Sequence, residues 1–149
     1  MTWFTLKKYG ITVAGTPIKE LDISTSIFGV KSYVRNNVDT YWKNWLAAAS
    51  DPSSAKRAYA LTNEGVEWCV CGIARMYYTL KENDIASKSK AVEYGLTCLP
   101  EFTRKILEEA VRIRNGEKNK QYDSRYVRRK DMLDYMGYII SEIDNMPLE

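Results

Sequence analysis

Arg75 is the only charged residue inside the apolar run WCVCGIARMYYTL, which extends from Trp68 to Leu80. A guanidinium in such a setting loses its hydration and is costly unless it finds a partner. Its planar fork suits a carboxylate or a phosphate equally. Glu64, Glu67 and Glu93 are the carboxylates within reach of an internal ion pair. Lys88 follows Ser87, a good helix N-cap, so it opens a helix. Free N–H groups and the helix dipole favour an anion there, although a solvated first-turn lysine fits the spacing as well. Cys69-x-Cys71 has the look of a metal pair, but the chain contains no histidine. Adjacent-but-one positions on a helix also point in divergent directions, so both thiols read as small buried hydrophobes. With Cys98 the cysteine count is odd, and no closed disulfide framework is implied. The missing histidines exclude Ser-His and Cys-His nucleophilic pairs and any histidine-ligated zinc centre. Acid–base chemistry would fall to carboxylates, Lys, Tyr or a partner.

Those residues must be positioned by helices. Trp3 to Tyr9 reads as a short helix ended by Gly10, and Ile11 to Pro17 as an extended connector. The stretch Asp22 to Ser26 is rich in capping residues. After it Val30, Val34, Val38, Tyr41, Trp45 and Ala48 recur at helical spacing, which predicts one long helix with that stripe buried. Asp51-Pro52-Ser53-Ser54 breaks it. The next helix starts at Ser54 or Asn63 and runs to Glu82, and its apolar centre predicts the most buried helix of the fold. A turn of about six residues then predicts an antiparallel partner helix opening at Ser87. Leu99-Pro100 closes that helix, with Pro100 expected as the first residue of the following one. This following helix should bury Phe102, Ile106, Ala110 and Ile113 and stop at Gly116. The last helix, about Asp123 to Met146, should pack through Tyr126, Met132, Leu133, Met136, Ile140 and Ile143. The basic residues around its start, Lys118, Lys120, Arg125, Arg128, Arg129 and Lys130, read as a solvated cluster. No useful strand alternation occurs, so the expected architecture is all-α, a bundle of four to six helices with short loops.

The order of particular residues goes further than periodicity. Arg75-Met76-Tyr77-Tyr78-Thr79-Leu80, Ile85-Ala86-Ser87-Lys88, Ala91-Val92-Glu93-Tyr94-Gly95-Leu96 and Leu99-Pro100 follow one another from the central helix onward. This succession resembles the C-terminal helical domain of the streptomycin/spectinomycin-type aminoglycoside adenylyltransferases. Upstream, Thr2-Trp3-Phe4-Thr5-Leu6, Tyr9-Gly10-Ile11 and Ala14-Gly15-Thr16-Pro17 resemble that family's linker from its catalytic domain. The resemblance implies a linker-like segment over residues 1–22 and one helical bundle domain over 23–149. It also implies transfer of AMP from ATP to a drug hydroxyl, with magnesium as the second cofactor. Arg75 and Lys88 match the family's two basic positions for the ATP phosphates. Trp42, Trp45, Glu64, Glu67 and Trp68 lie where an aromatic and acidic drug site is expected, because a polycationic aminoglycoside needs carboxylates and an aromatic platform. Gly65 falls near the place of a drug-binding Asp, which leaves the cationic substrate's identity open.

The family's catalytic half carries a Gly-Ser turn and an Asp-x-Asp pair for metal and ATP. Neither motif occurs in these 149 residues, and Asp131 and Asp134 stand at a helical spacing of three. Phosphoryl-type transfer depends on metal-neutralised phosphates, so the chain is expected to be inactive alone, with no catalytic residue and no metal ligand of its own. The expected partner is a catalytic nucleotidyltransferase domain or a second copy of the chain. The alternative is a non-enzymatic helical binding module or structural homodimer derived from that domain. A net charge of +3, from 22 basic and 19 acidic residues, is too balanced to argue for nucleic acid or a membrane. Met1 to Tyr9 has neither a signal-peptide h-region nor a membrane-spanning run, so a cytoplasmic protein is expected.

Overall fold

The computed structural model describes residues 1–147; the last two positions of the expected domain lie outside the described residues. The elements are α1 (Thr2–Tyr9), α2 (Ile27–Asn37), a π turn (Val38–Trp42), α3 (Lys43–Ser50), α4 (Ala55–Tyr59), α5 (Asn63–Glu82), α6 (Lys88–Cys98), α7 (Arg104–Asn115) and α8 (Arg125–Asp144). α2, the π turn and α3 form one continuous rod, giving seven helices and no strand among the described residues. The all-α expectation holds. The one helix beyond the expected range is α4, a short piece capped by the Ser54 side chain on the Lys56 amide.

The π turn explains where the sequence stripe shifts. Val30, Val34 and Val38 are buried as expected, but the stripe continues through Trp42, Trp45 and Ala49, leaving Tyr41 exposed and Ala48 only partly covered. Three successive steps of four overshoot a straight α-helix by about 40° each. The wider turn absorbs that drift, so Trp42 returns to the core where Tyr41 was expected. At the far end of α8, Arg35 donates to the Ile143 and Met146 carbonyls, and Lys43 bridges Asp39 and Asp144 at 2.7 and 2.9 Å. These bonds strap the α2–α3 rod to α8.

α5 is the central helix, packed against α2, α6, α7 and α8. Thr62 caps it by accepting from the Gly65 amide, and Asn83 ends it in the left-handed conformation. Its thiols Cys69 and Cys71 are fully buried, and burial pushes Cys71 up to about 12. α6 does not run antiparallel to α5. Lys88 meets Glu67, Val92 shares a small cavity with Cys71, and Tyr94 packs against Tyr77 and Tyr78, so the two helices advance together. The connection, residues 83–87, retraces α5 before α6 starts, and on the way the Arg75 guanidinium donates to the Ala86 carbonyl at 3.0 Å.

Two further details differ from the sequence reading. Pro100 precedes a short 3₁₀ turn (Glu101–Thr103) instead of opening α7, which turns Phe102 out to solvent and puts Leu107 in its place in the core. In α8, Tyr126 is 62% exposed and the buried aromatic is Tyr135, whose ring lies at the face of Met132, Met136 and Ile139. Gly116 ends α7 at φ +70°, with its amide and that of Glu117 closing on the Ile113 and Arg112 carbonyls. Glycine takes that conformation most readily, having no Cβ.

The last pairing sits at the base of the bundle. Glu109 is wholly buried and accepts from Arg112 at 2.8 and 3.0 Å, from Arg128 at 2.9 Å and from the Gln121 amide at 3.1 Å. Arg128 also reaches Asn63 and the Leu61 carbonyl, so it is a buried tie between α7, α8 and the start of α5, not a solvated residue. Burial alone would raise the Glu109 carboxyl, but bonds from Arg112 and Arg128 outweigh it and hold it below its ordinary 4.5. A lowered folded value stabilises the fold above the unfolded value and loses that contribution as pH falls through the folded one. Unfolding in urea should therefore become easier as pH drops below 4.5. Glu109→Gln should cost about 3–5 kcal/mol at neutral pH and flatten that acid limb, since it strands two buried guanidiniums. A loss under about 1 kcal/mol would show that the network does not hold the base together.

Candidate functional site

Trp68, Gly72 and Arg75 recur on α5 at i, i+4 and i+7, so they form one helix row. That row faces the middle of the α2–α3 rod and the opening of α6. Gly72 lets the surfaces meet: a Cβ there would lie 2.5 Å from the Trp42 ring. Trp42 packs on Trp68 at 4.9 Å between centroids, with Tyr41 edge-on to both at 5.6 and 6.0 Å. Beside this aromatic group a cleft of about 250 Å³ is lined by Tyr41, Trp42, Trp68, Arg75, Met76 and Lys88. The two basic residues named from the sequence thus share one cleft.

Arg75 lines two more cavities. One, of about 600 Å³, opens between α1 and α2 and is also lined by Thr5, Tyr9, Tyr33 and Met76. The other, of about 450 Å³, reaches Ser87 and Lys90. Only the Nε of Arg75 is engaged, by Ala86, and no carboxylate pairs with its guanidinium among the described residues. The internal ion pair to Glu64, Glu67 or Glu93 is not formed. A half-buried cation at the junction of three cavities, with its two terminal nitrogens free, is placed to take an anion.

Lys88 is not free in the same way. Its ammonium lies 3.1 Å from Glu67, which also takes Arg114 at 2.9 Å; Arg114 in turn reaches the Ser89 hydroxyl at 3.1 Å. Burial would raise the Glu67 carboxyl, but bonds from Lys88 and Arg114 keep it below its ordinary value. Arg114, which shares Glu67 with Lys88 but lines none of the three cavities at Arg75, was not revealed by the sequence because its partner lies 47 residues away. The remaining expected residues are dispersed. Trp45 is core, packed on Trp68 at 5.8 Å and absent from the cleft lining. Glu64 is exposed on the first turn of α5 and lines none of the three cavities at Arg75. Gly65 is set by packing, since a Cβ would lie 2.1 Å from the Tyr59 carbonyl oxygen.

One wall of the cavities is α1, none of whose residues is buried. Tyr9 donates to Asp84, and Lys8 pairs with the same carboxylate at 2.9 Å, which ties α1 to the α5–α6 connection. Burial would raise the Asp84 carboxyl, but bonds from Tyr9 and Lys8 hold it at about 2. Gly72→Ala should displace Trp42, lower stability by about 1–3 kcal/mol and change the intrinsic tryptophan emission. An unchanged spectrum and melting curve would mean that the cleft does not depend on this close approach.

Residues 46–138 match the family model of the aminoglycoside adenylyltransferase C-terminal domain. No curated protein and no solved structure matches the chain. The matched span runs from α3 to α8, more than half of the chain, and contains Glu67, Trp68, Arg75, Lys88 and Arg114. The chain belongs to the aminoglycoside adenylyltransferase C-terminal domain family.

Proposed function

We propose that this bundle is the ATP- and substrate-binding wall of an aminoglycoside-type adenylyltransferase, with Arg75 and Lys88 as the contacts for the triphosphate. The observation that carries the reading is the Arg75 guanidinium, unpaired with any carboxylate and facing the same cleft as Lys88. Arg offers a fork to two phosphate oxygens, and Lys a mobile charge that exchanges Glu67 for a phosphate. When bound, ATP supplies the AMP group and magnesium neutralises the phosphates. Among the described residues no group of three or more His, Cys, Asp or Glu is arranged to hold a metal. The metal and the base belong in this reading to a catalytic nucleotidyltransferase domain.

That domain would cover the N-terminal face, where Trp3, Tyr9, Ile11 and Val13 stand out in solvent; Ile11 and Val13 are 86% and 96% exposed. Large apolar side chains exposed on one stretch of chain suit an interaction surface. The cationic substrate would approach the aromatic side of the cleft through Tyr41, Trp42 and Trp68, since an ammonium is attracted to a ring face. Trp45 supports that platform from the core, and Glu67 lies one residue before Trp68 on the same helix.

Each charge-assisted bond to phosphate is worth about 1.5–3 kcal/mol before ordering costs, so the wall alone should bind ATP in the millimolar range at best. Titration followed by NMR should move the amides near Arg75 and from Ser87 to Lys90. Arg75→Ala and Lys88→Ala should each abolish these shifts while moving the melting temperature little, and added salt should weaken them. Glu67→Gln should tighten the interaction by removing a competitor for Lys88. ATP-dependent shifts that survive both alanine substitutions would sink the reading. The chain alone, given ATP, magnesium and streptomycin or spectinomycin, should release no pyrophosphate above background.

A further inference from the structure

α8 starts against its own dipole. Its first turn holds no acidic residue, while Arg125, Arg128, Arg129 and Lys130 fall within its first six positions. Partial positive charge at a helix N-terminus makes bases unfavourable there and an anion favourable. Two of the four are accounted for: Lys130 pairs with Asp134, and Arg129 donates to the Ala49 carbonyl. The other two point elsewhere.

Arg128 belongs to the buried cluster with Glu109 and Arg112, in which one carboxylate serves two guanidiniums. The cluster keeps one positive charge in excess, although both arginines are more than nine-tenths buried. Glu117 is the next acidic charge acting on it, through Arg112. The Nε of Arg128 is buried with no hydrogen-bond partner among the described residues. Arg128 also lines a cavity of about 290 Å³ together with Asn63, Lys120, Tyr122, Asp123 and Arg125. Neither Lys120 nor Arg125 has an ion-pair partner among the described residues, and Asp123 is the one acid in the lining. Asn63 and Arg125 are the first residues of α5 and α8, so free backbone N–H groups of two helices flank the same opening.

We propose that this cavity is an oxyanion site that takes inorganic phosphate or a phosphate monoester. Arg125 supplies a fork and Lys120 a mobile charge, while the buried excess charge on the Glu109 cluster and the two helix starts set the field. No residue lines both this cavity and the Arg75 cavities. The site therefore stands independently of the ATP reading.

The test is a titration of the isotope-labelled chain with inorganic phosphate, at fixed pH and with sodium chloride holding ionic strength constant. Saturable shifts are expected at the amides of Asn63, Glu64 and residues 123–126. The double substitution Lys120→Ser with Arg125→Ser changes only exposed side chains. It should weaken binding at least tenfold, with an unchanged helical circular dichroism spectrum as the control for folding. Arg75→Ala should leave the phosphate response intact. Glucose-6-phosphate in place of phosphate should give the same shifts if the site accepts monoesters, and none if it accepts the free ion only. Shifts that do not saturate, that chloride reproduces, or that survive the double substitution would overturn the proposal. So would shifts confined to the Arg75–Lys88 cleft, an outcome that leaves the ATP reading standing.

Discussion

The Glu109 carboxylate sits where three parts of the chain must agree. Arg112 comes to it from its own helix, Arg128 from α8, and the Gln121 amide from the loop between them. Because Arg128 also grips Asn63 and the Leu61 carbonyl, the same carboxylate fixes where α5 begins. The rest of the site is downstream of that origin. A helix rises by about 1.5 Å and turns about 100° per residue, so fixing Asn63 fixes the direction of Trp68, Gly72 and Arg75. A buried ion pair adds little net stability over an apolar contact of the same shape, and its value here lies in specifying one arrangement of helices.

Charge in the cleft is distributed with the same economy. Glu67 is the carboxylate paired with Lys88, and it is shared with Arg114. Two bases thus share that carboxylate, while Arg75 has no carboxylate partner among the described residues. In the proposed reading the anion meets Arg75 and the cation meets the aromatic group, so the two are separated along one helix row. Trp68 stands at one end of that row and Arg75 two turns further on.

Much of this was legible in the residues. The six expected helices are present, with Thr62, Ser87 and Ser124 capping α5, α6 and α8 through their side chains. The order Arg75, Ile85-Ala86-Ser87-Lys88, Leu99-Pro100 pointed to the family. The errors have physical causes. Tyr41 stood in for Trp42 because periodicity assumes a constant turn, and the π turn widens it. The direction of α6 differs from the expectation because the connection's length permits either sense, and the packing of Val92 and Tyr94 along α5 is not visible in it. Arg128 looked solvated because its partner, Glu109, is 19 residues away on another helix. Pairings between distant helices leave no local signal.

The π turn between α2 and α3 has a consequence for how such chains diverge. It accommodates one residue more than a straight rod would need, in the middle of a helix and not in a loop. Losing that residue would shorten no connection and break no cap. It would instead rotate everything upstream by about 100° relative to the aromatic group, carrying Tyr33 and Asn37 away from the cavities they line. A relative aligned by loop lengths alone would have its tryptophans assigned to the wrong face. An indel inside this rod would thus change what the binding surface presents, and would at the same time turn Val30 and Val34 off the core and Arg35 off α8.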